Sequence, residues 1–114
     1  MADTTTEFFD NLSRRGHEPL LEKASGTLRF ELDERKRTDR WLVTVEKGNV
    51  TVSRKAAKAD VVVRTDRALF DKLASGRQNA MAAILRGEIG IEGRVQLLAL
   101  FQRLFPSPPK RRSR

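Results

Sequence analysis

Residues 76–105 form an apolar segment divided by glycines, and this segment restricts the possible folds more than any other part of the chain. Within it, residues 79–86 carry apolar side chains at helical spacing and are followed by Gly87, a residue type that commonly ends helices. Residues 88–92 then alternate between isoleucine and polar or small residues, which predicts a half-buried strand. The spacing becomes helical again in residues 95–105. The segment therefore predicts a helix, a strand and a second helix in that order.

The helix predicted for residues 95–105 carries more apolar surface than one core can cover. Its large apolar side chains span an arc of roughly 160 degrees, whereas a surface helix that faces one core needs roughly 100 degrees. These side chains are Leu97, Leu98, Leu100, Phe101, Leu104 and Phe105. The excess must be covered by a partner subunit, by a membrane surface or by an apolar ligand held between this helix and the rest of the fold.

The beginning of the chain predicts a helix followed by a strand. Residues 5–15 have helical apolar spacing, and Thr4 and Glu7 have the spacing of a capping box. In residues 28–32, apolar and charged side chains alternate as in a half-buried strand. We interpret the charged residues 33–39 that follow as a connection to the next strand.

The next two strands are joined by a tight turn at residues 47–48. A two-residue turn at this point places Val45 opposite Val50. Two residues further from the turn, it also places Val43 opposite Val52. The turn and the alternation agree in putting all four valines on one face of the sheet, so the register is predicted as well as the strands.

The remaining elements complete an α+β pattern. Residues 61–63 predict a fourth strand, and the helix after it is capped by Thr65 or Asp66 and ended by Gly76. The order is then helix, four strands, two helices, strand and helix. This order predicts a single five-stranded, mostly antiparallel sheet with helices packed on one face.

The composition excludes several kinds of site. With 114 residues, the chain has room for one domain with a small core, which we place at residues 1–105. It has no cysteine, which excludes disulfides, thiolate metal sites and a cysteine nucleophile. His17 is the single histidine and has no paired carboxylate near it in the sequence, so a surface or capping role is preferred to catalysis. We therefore expect no catalytic residue, no metal ligand and no cofactor.

The net charge of +8 is largely a property of the C-terminal segment. Residues 106–114 contain four basic residues and no acidic one, which leaves an ordinary charge near +4 for the rest. Their prolines predict a disordered tail. Such a tail either solubilises the protein or draws it to anionic membranes, at about 1 kcal/mol for each basic residue near the surface.

Nucleic acid is disfavoured as a partner in spite of the basic composition. Residues 69–85 have the length of a helix-turn-helix, but the second helix offers only Asn79 and Arg86 as polar side chains, one at each end. A recognition helix needs several polar side chains that reach base edges. We therefore expect no nucleic-acid partner.

The sequence also carries an expectation about localisation. No stretch of the chain approaches the length needed to cross a bilayer. Residues 1–7 lack a basic region followed by an apolar run, which is the pattern of a secretory signal. We expect a soluble, cytoplasmic protein.

The sequence GRQNAMAAILRGEIGIEGR at residues 76–94 resembles the sterol carrier protein 2 (SCP2) sterol-binding domain family. Over residues 20–105, the order of elements is also similar: a strand of alternating valines, a short helix, a glycine, a helix ending in leucine-x-glycine, a short strand and a final apolar helix. The resemblance implies that the sheet and its helices enclose an apolar tunnel. It also implies a ligand among fatty acids, acyl-coenzyme A, phospholipids and sterols, and no chemistry in the domain itself.

The resemblance further implies a set of ligand-binding residues that surround the tunnel. The final helix would face the ligand from above, the two preceding helices would form the walls, and strand residues would lie beneath. The candidates are Val43, Val61, Leu69, Phe70, Met81, Ile84, Leu85, Ile89, Leu97, Leu98, Phe101 and Leu104. Because each buried methylene contributes about 0.8 kcal/mol, a long chain needs few polar contacts.

Two positions depart from the family pattern. Family members often have an acidic residue where this chain has Arg94, so the charge partner at that position differs. Residues 112–114 read Arg-Ser-Arg, so the peroxisomal signal of the Ser-Lys-Leu type does not carry over.

Two functions remain open from the sequence. The first is a non-catalytic lipid-binding or lipid-carrier protein whose partner is a lipid or another long apolar ligand. The alternative is an interaction module of the same fold with a filled core, which forms a homodimer through its final helix and holds no ligand.

Overall fold

The computed structural model describes residues 4–106, and within them one five-stranded sheet is packed against four α-helices. In chain order, the elements are α1 (Thr4–Arg15), β1 (Ser25–Glu34), β2 (Arg37–Glu46), β3 (Asn49–Ser53), β4 (Val61–Asp66), α2 (Arg67–Ala74), α3 (Ala80–Leu85), β5 (Gly90–Gly93) and α4 (Val95–Phe101). Single turns of 3-10 helix occur at Pro19–Leu21 and Gln102–Leu104. This is the predicted α+β order.

The sheet has the strand order β3-β2-β1-β4-β5, so the first strand lies in its centre. Strands β1 and β4 pair in parallel, and the other three pairings are antiparallel. The predicted hairpin register is confirmed, with Val43 opposite Val52 and Val45 opposite Val50. The turn between them has positive φ angles at both central positions, 50° at Lys47 and 88° at Gly48, as the twist of a two-residue hairpin requires.

The connection predicted at residues 33–39 is wrong, because most of that stretch is strand. Strand β1 continues to Glu34, β2 begins at Arg37, and only two residues form the turn. Charge is compatible with strands on both faces here, because Glu34 and Asp39 form ion pairs with Arg67 of α2 on the helix side, at 3.6 Å and 3.0 Å, and the side chains of the other face, which carries no helix, are paired with one another. On that face, the Glu31 carboxylate lies 3.1 Å from Arg29 Nε, 3.3 Å from Arg40 Nε and 3.0 Å from Arg64 Nε.

The opposite face of the sheet carries the helices and the hydrophobic core. All seven aromatic rings of the protein lie in one connected cluster there, formed by Phe8, Phe9, Phe30, Trp41, Phe70, Phe101 and Phe105. The Phe9 ring is at its centre, stacked 4.5 Å from Trp41 on one side and 5.4 Å from Phe70 on the other. The helices are therefore fixed to the sheet mainly through rings.

Helix α1 covers part of the excess apolar surface of the final helix. The Phe8 ring stacks on Phe105 at 4.9 Å and 8°, and meets the edge of Phe101 at 6.2 Å. A partly buried hydrogen bond from Thr5 Oγ1 to Asp71 Oδ1 joins α1 to α2. The chain's own first helix thus covers part of the excess, while Leu100, Leu104 and Phe105 remain half-buried. The final helix also ends earlier than predicted, because the chain tightens into a 3-10 turn after Phe101.

Candidate functional site

An enclosed apolar space lies between the sheet and helices α2, α3 and α4, and we call it the inner pocket. Strands β1 and β4 form its floor, and the helices form its walls and roof. It is lined by Phe30, Val63, Thr65, Phe70, Leu73, Ala80, Ile84, Ile89, Leu98, Gln102 and Phe105. All but Thr65 and Gln102 are apolar, so the walls suit a hydrocarbon chain.

The inner pocket is closed in this structure. Its volume is about 10 Å³, roughly the smallest space that holds one water molecule. Phe30 and Phe70, both almost fully buried, occupy the space between sheet and helices. A ligand can therefore enter only if lining side chains or one of the walls move outward.

Helix α3 is the thinnest wall of the inner pocket. It has six residues, and the side chains that it buries are the small ones of Ala80 and Ala83. Glycines with left-handed backbone lie on both sides of it, Gly76 with a φ of 77° and Gly87 with a φ of 75°. Because little apolar surface holds α3 in place, it is the wall that costs least to displace.

The two polar side chains of the inner pocket differ in their hydrogen bonding. Thr65 Oγ1 donates to the Glu88 carbonyl oxygen at 3.0 Å, so the protein already satisfies this hydroxyl. The side-chain amide of Gln102 has no hydrogen-bond partner among residues 4–106, and Gln102 is half-buried. Gln102 therefore marks the end of the pocket at which a polar ligand group can be accommodated.

An open depression of 260 Å³ adjoins the inner pocket at this end, and we call it the outer depression. Three residues line both spaces, namely Ala80, Gln102 and Phe105. Its other lining residues are Asn79, Arg103 and Pro106. The inner pocket and solvent are thus separated there by three side chains.

The structure places the twelve candidate ligand residues in several different environments. Phe70, Ile84, Ile89 and Leu98 line the inner pocket. Four others are buried in the surrounding core without lining it: Val43, Val61, Leu97 and Phe101. Leu69 is half-buried beside the core. Leu104 instead lines a separate surface groove.

Met81 and Leu85 lie on the outer surface of α3, away from the inner pocket. Met81 is 40% exposed and Leu85 is 79% exposed. The sequence presents two apolar rows on this helix, Met81 with Leu85 and Ala80 with Ile84, and the second row faces inward. Ala80 and the buried Ala83 let α3 approach the core closely on that side.

The groove that Leu104 lines is larger than the inner pocket, at 610 Å³, but it is a different kind of space. It runs along α1 and is lined by Thr4, Glu7, Phe8, Asn11, Leu12, Arg14, Arg15, Ala74, Leu104 and Pro106. Half of these residues are polar or charged, and the groove is open to solvent. A hydrocarbon chain would remain wet there, so the inner pocket is the better candidate for an apolar ligand.

Gln102 and Arg103 were not among the residues selected from the sequence. Gln102 follows Leu98 by four positions and so lies on the same helical row, where it interrupts an apolar stripe. A polar residue within such a stripe is the signal that could have indicated Gln102.

The tail predicted at residues 106–114 lies outside the described residues except for Pro106, which is exposed.

Two kinds of feature are absent from residues 4–106. They contain no group of three or more histidine or acidic side chains that could hold a metal ion. None of their helices combines the length and the hydropathy needed to cross a membrane.

A sequence profile of the SCP-2 sterol transfer family matches residues 8–106. The chain belongs to the SCP-2 family. Sterol Carrier Protein 2 from Yarrowia lipolytica, solved in its apo form, has a TM-score of 0.72 and 20% identity, with 89% of this chain and 88% of that chain covered. The palmitated SCP2L2 of Aedes aegypti has a TM-score of 0.68 and 17% identity, with 85% and 89% covered. These two likenesses establish the SCP-2 fold.

The SCP-2 fold also occurs within a larger enzyme. The stereoselective inverting sec-alkylsulfatase Pisa1 from Pseudomonas sp. has a TM-score of 0.68 and 25% identity, with 88% of this chain covered. This SCP-2 chain spans only 16% of the length of that sulfatase. No curated protein sequence matches this SCP-2 family chain at a significant level.

Proposed function

We propose that this SCP-2 family protein binds and carries a lipid with one long apolar chain, without catalysis, and that the chain occupies the inner pocket. Membership of a sterol transfer family supports lipid binding in general. The observation that carries the specific proposal is the enclosed apolar pocket behind the thin wall formed by α3. The side chains of Phe70, Ile84 and Leu98 would rotate, and the hydrocarbon chain of the ligand would occupy the space that they leave.

The closed pocket is compatible with this proposal on energetic grounds. The ten methylenes of a twelve-carbon fatty acid contribute about 8 kcal/mol when they leave water, at about 0.8 kcal/mol for each methylene. Local openings in proteins cost anything from nearly zero to the global stability of about 5–15 kcal/mol. Because α3 is short and buries mainly alanines, its displacement falls at the low end of that range.

Native mass spectrometry of freshly purified protein tests the proposed function. We expect the protein to carry an adduct, or to acquire one on incubation with long-chain fatty acids, and organic extraction would identify its class. If the protein keeps its bare mass after incubation with fatty acids, phospholipids and sterols, the result would contradict lipid binding. A dimer in light scattering together with a bare mass would favour the dimerising module instead.

Substitution of Ile84 by tryptophan is expected to weaken lipid binding at least tenfold. Ile84 is a half-buried lining residue on α3, and the larger ring would occupy the space that the chain must enter. The control is Leu85→Trp on the same helix, at a side chain that lines no described cavity and is largely exposed. Displacement of the neutral dye Nile red by dodecanoate compares the two variants with the wild type. Equal loss in both variants would contradict the proposed location.

A further inference from the structure

We propose that the outer depression is the head-group site of the lipid and that Arg103 selects a single-chain amphiphile with an anionic head. This inference rests on the proposed function and makes it more specific. The apolar chain would lie in the inner pocket, and the head would emerge past Gln102 into the outer depression.

The direction in which the ligand lies follows from the hydrogen bonding of the lining residues. A polar head cannot be buried among the apolar side chains without losing its hydration. Thr65 is already hydrogen-bonded to the backbone. The Gln102 side-chain amide has no hydrogen-bond partner among the described residues, so it can bond to a ligand. Gln102 is also one of the three side chains that separate the pocket from the outer depression. The polar end of the ligand therefore lies at this boundary.

The charge of the outer depression follows from Arg103. Arg103 is exposed, and no described residue forms an ion pair or a side-chain hydrogen bond with it. No carboxylate is among the described residues that line the depression. Residues 93–114 as a whole contain no acidic residue. A guanidinium without a competing carboxylate binds an anionic oxygen head in preference to a neutral one.

The asparagine that lines the depression adds a second donor. Asn79 Oδ1 accepts a hydrogen bond from the Ala82 amide at 2.9 Å, which leaves its side-chain nitrogen as the group able to donate to a ligand. The site thus combines one cation with amide donors. This chemistry fits a carboxylate or phosphate head on a single chain, and it gives no advantage to an alcohol or a sterol hydroxyl.

The test compares dodecanoate with 1-dodecanol, which have the same chain and differ in the charge of the head. Competition against Nile red gives the affinity of each of the two ligands for the full-length protein. We expect the wild type to prefer dodecanoate about two- to fivefold, and Arg103→Gln to lose this preference while binding of 1-dodecanol is nearly unchanged. Arg103→Lys should keep most of the preference. Added salt should reduce it, because the site is open to solvent.

A matched control is Arg37→Gln, which removes one exposed positive charge from a residue that lines no described cavity. If Arg103→Gln and Arg37→Gln reduce the preference equally, net charge and not this site explains it, and the inference fails. The inference also fails if both ligands bind and the wild type shows no preference, although the proposed function then stands. If neither ligand displaces the dye and neither adds to the protein mass, the proposed function itself fails.

Discussion

Replacement of Phe9 by alanine is expected to lower the free energy of unfolding by about 3–5 kcal/mol. The Phe9 side chain is 0% exposed and stacks on both Trp41 and Phe70, with two further rings, Phe8 and Phe30, 5.3 Å and 5.4 Å away. Removing it leaves a cavity that four rings border. These rings belong to different elements of the fold and cannot close together without moving the sheet and helix α2. For a domain with a total stability of about 5–15 kcal/mol, such a loss is a large fraction.

Chemical denaturation followed by Trp41 fluorescence and by circular dichroism measures this effect. Trp41 is the single tryptophan, and its indole Nε1 is buried without a hydrogen-bond partner among the described residues. In the alanine variant, water should reach the indole and shift its emission to longer wavelength. Phe9→Leu keeps most of the volume and should cost only about 1–2 kcal/mol. A loss below about 1 kcal/mol in Phe9→Ala would show that this ring is not central to the core.

Replacement of Gly93 by alanine is expected to destabilise the protein by about 3 kcal/mol or more. Gly93 has a φ of 105°, which side chains rarely adopt, and an added Cβ would overlap the Asp60 carbonyl oxygen. That oxygen also accepts the hydrogen bond from the Arg94 amide at 2.8 Å, so it cannot move away freely. Both the end of β5 and the start of α4 would shift, and with them the roof of the inner pocket.

Gly90 provides a control for this change within the same strand. A Cβ added at Gly90 would lie 3.6 Å from the Arg64 carbonyl oxygen, an ordinary contact distance. Gly90→Ala should therefore change the stability by less than about 0.5 kcal/mol. Thermal unfolding of the two variants gives the comparison directly. Equal stability of both variants would mean that the close approach of Gly93 to Asp60 does not constrain the fold.

The sequence was sufficient for the strand order along the chain and for the hairpin register. The register followed because the turn and the two valine pairs, Val45 with Val50 and Val43 with Val52, gave the same answer independently. Residues 33–39 were misassigned because polarity was interpreted as a connection. Strands tolerate charged side chains where ion pairs satisfy them, as Glu34 and Asp39 show through their contacts with Arg67. Polarity alone could not distinguish these two cases.

The site was less predictable than the fold because it depends on how closely elements approach. Helix α3 has two apolar rows, and its spacing from the core decides that the row with Ala80 faces inward and that Leu85 faces outward. The spacing of residues 95–105 predicts excess apolar surface, but it could not indicate that Phe8 packs on Phe101 and Phe105 and so covers part of it. The volume of the inner pocket depends on side-chain rotamers, which a periodicity does not contain.

The parallel pairing of β1 with β4 determines the order in which this protein can be completed during synthesis. The two hairpins of the first three strands involve neighbours in sequence and can form as soon as they leave the ribosome. The central strand, however, keeps one unpaired edge until residues 61–66 have been made. Helix α1 is synthesised before any of the strands, yet its hydrogen bond to Asp71 and its ring contacts with Phe70 and Phe101 must wait for the second half of the chain. Phe9 can stack on Trp41 and Phe30 once the first two strands have paired, whereas the ring partners of Phe8 in α2 and α4 are made later, so α1 completes its packing in two stages.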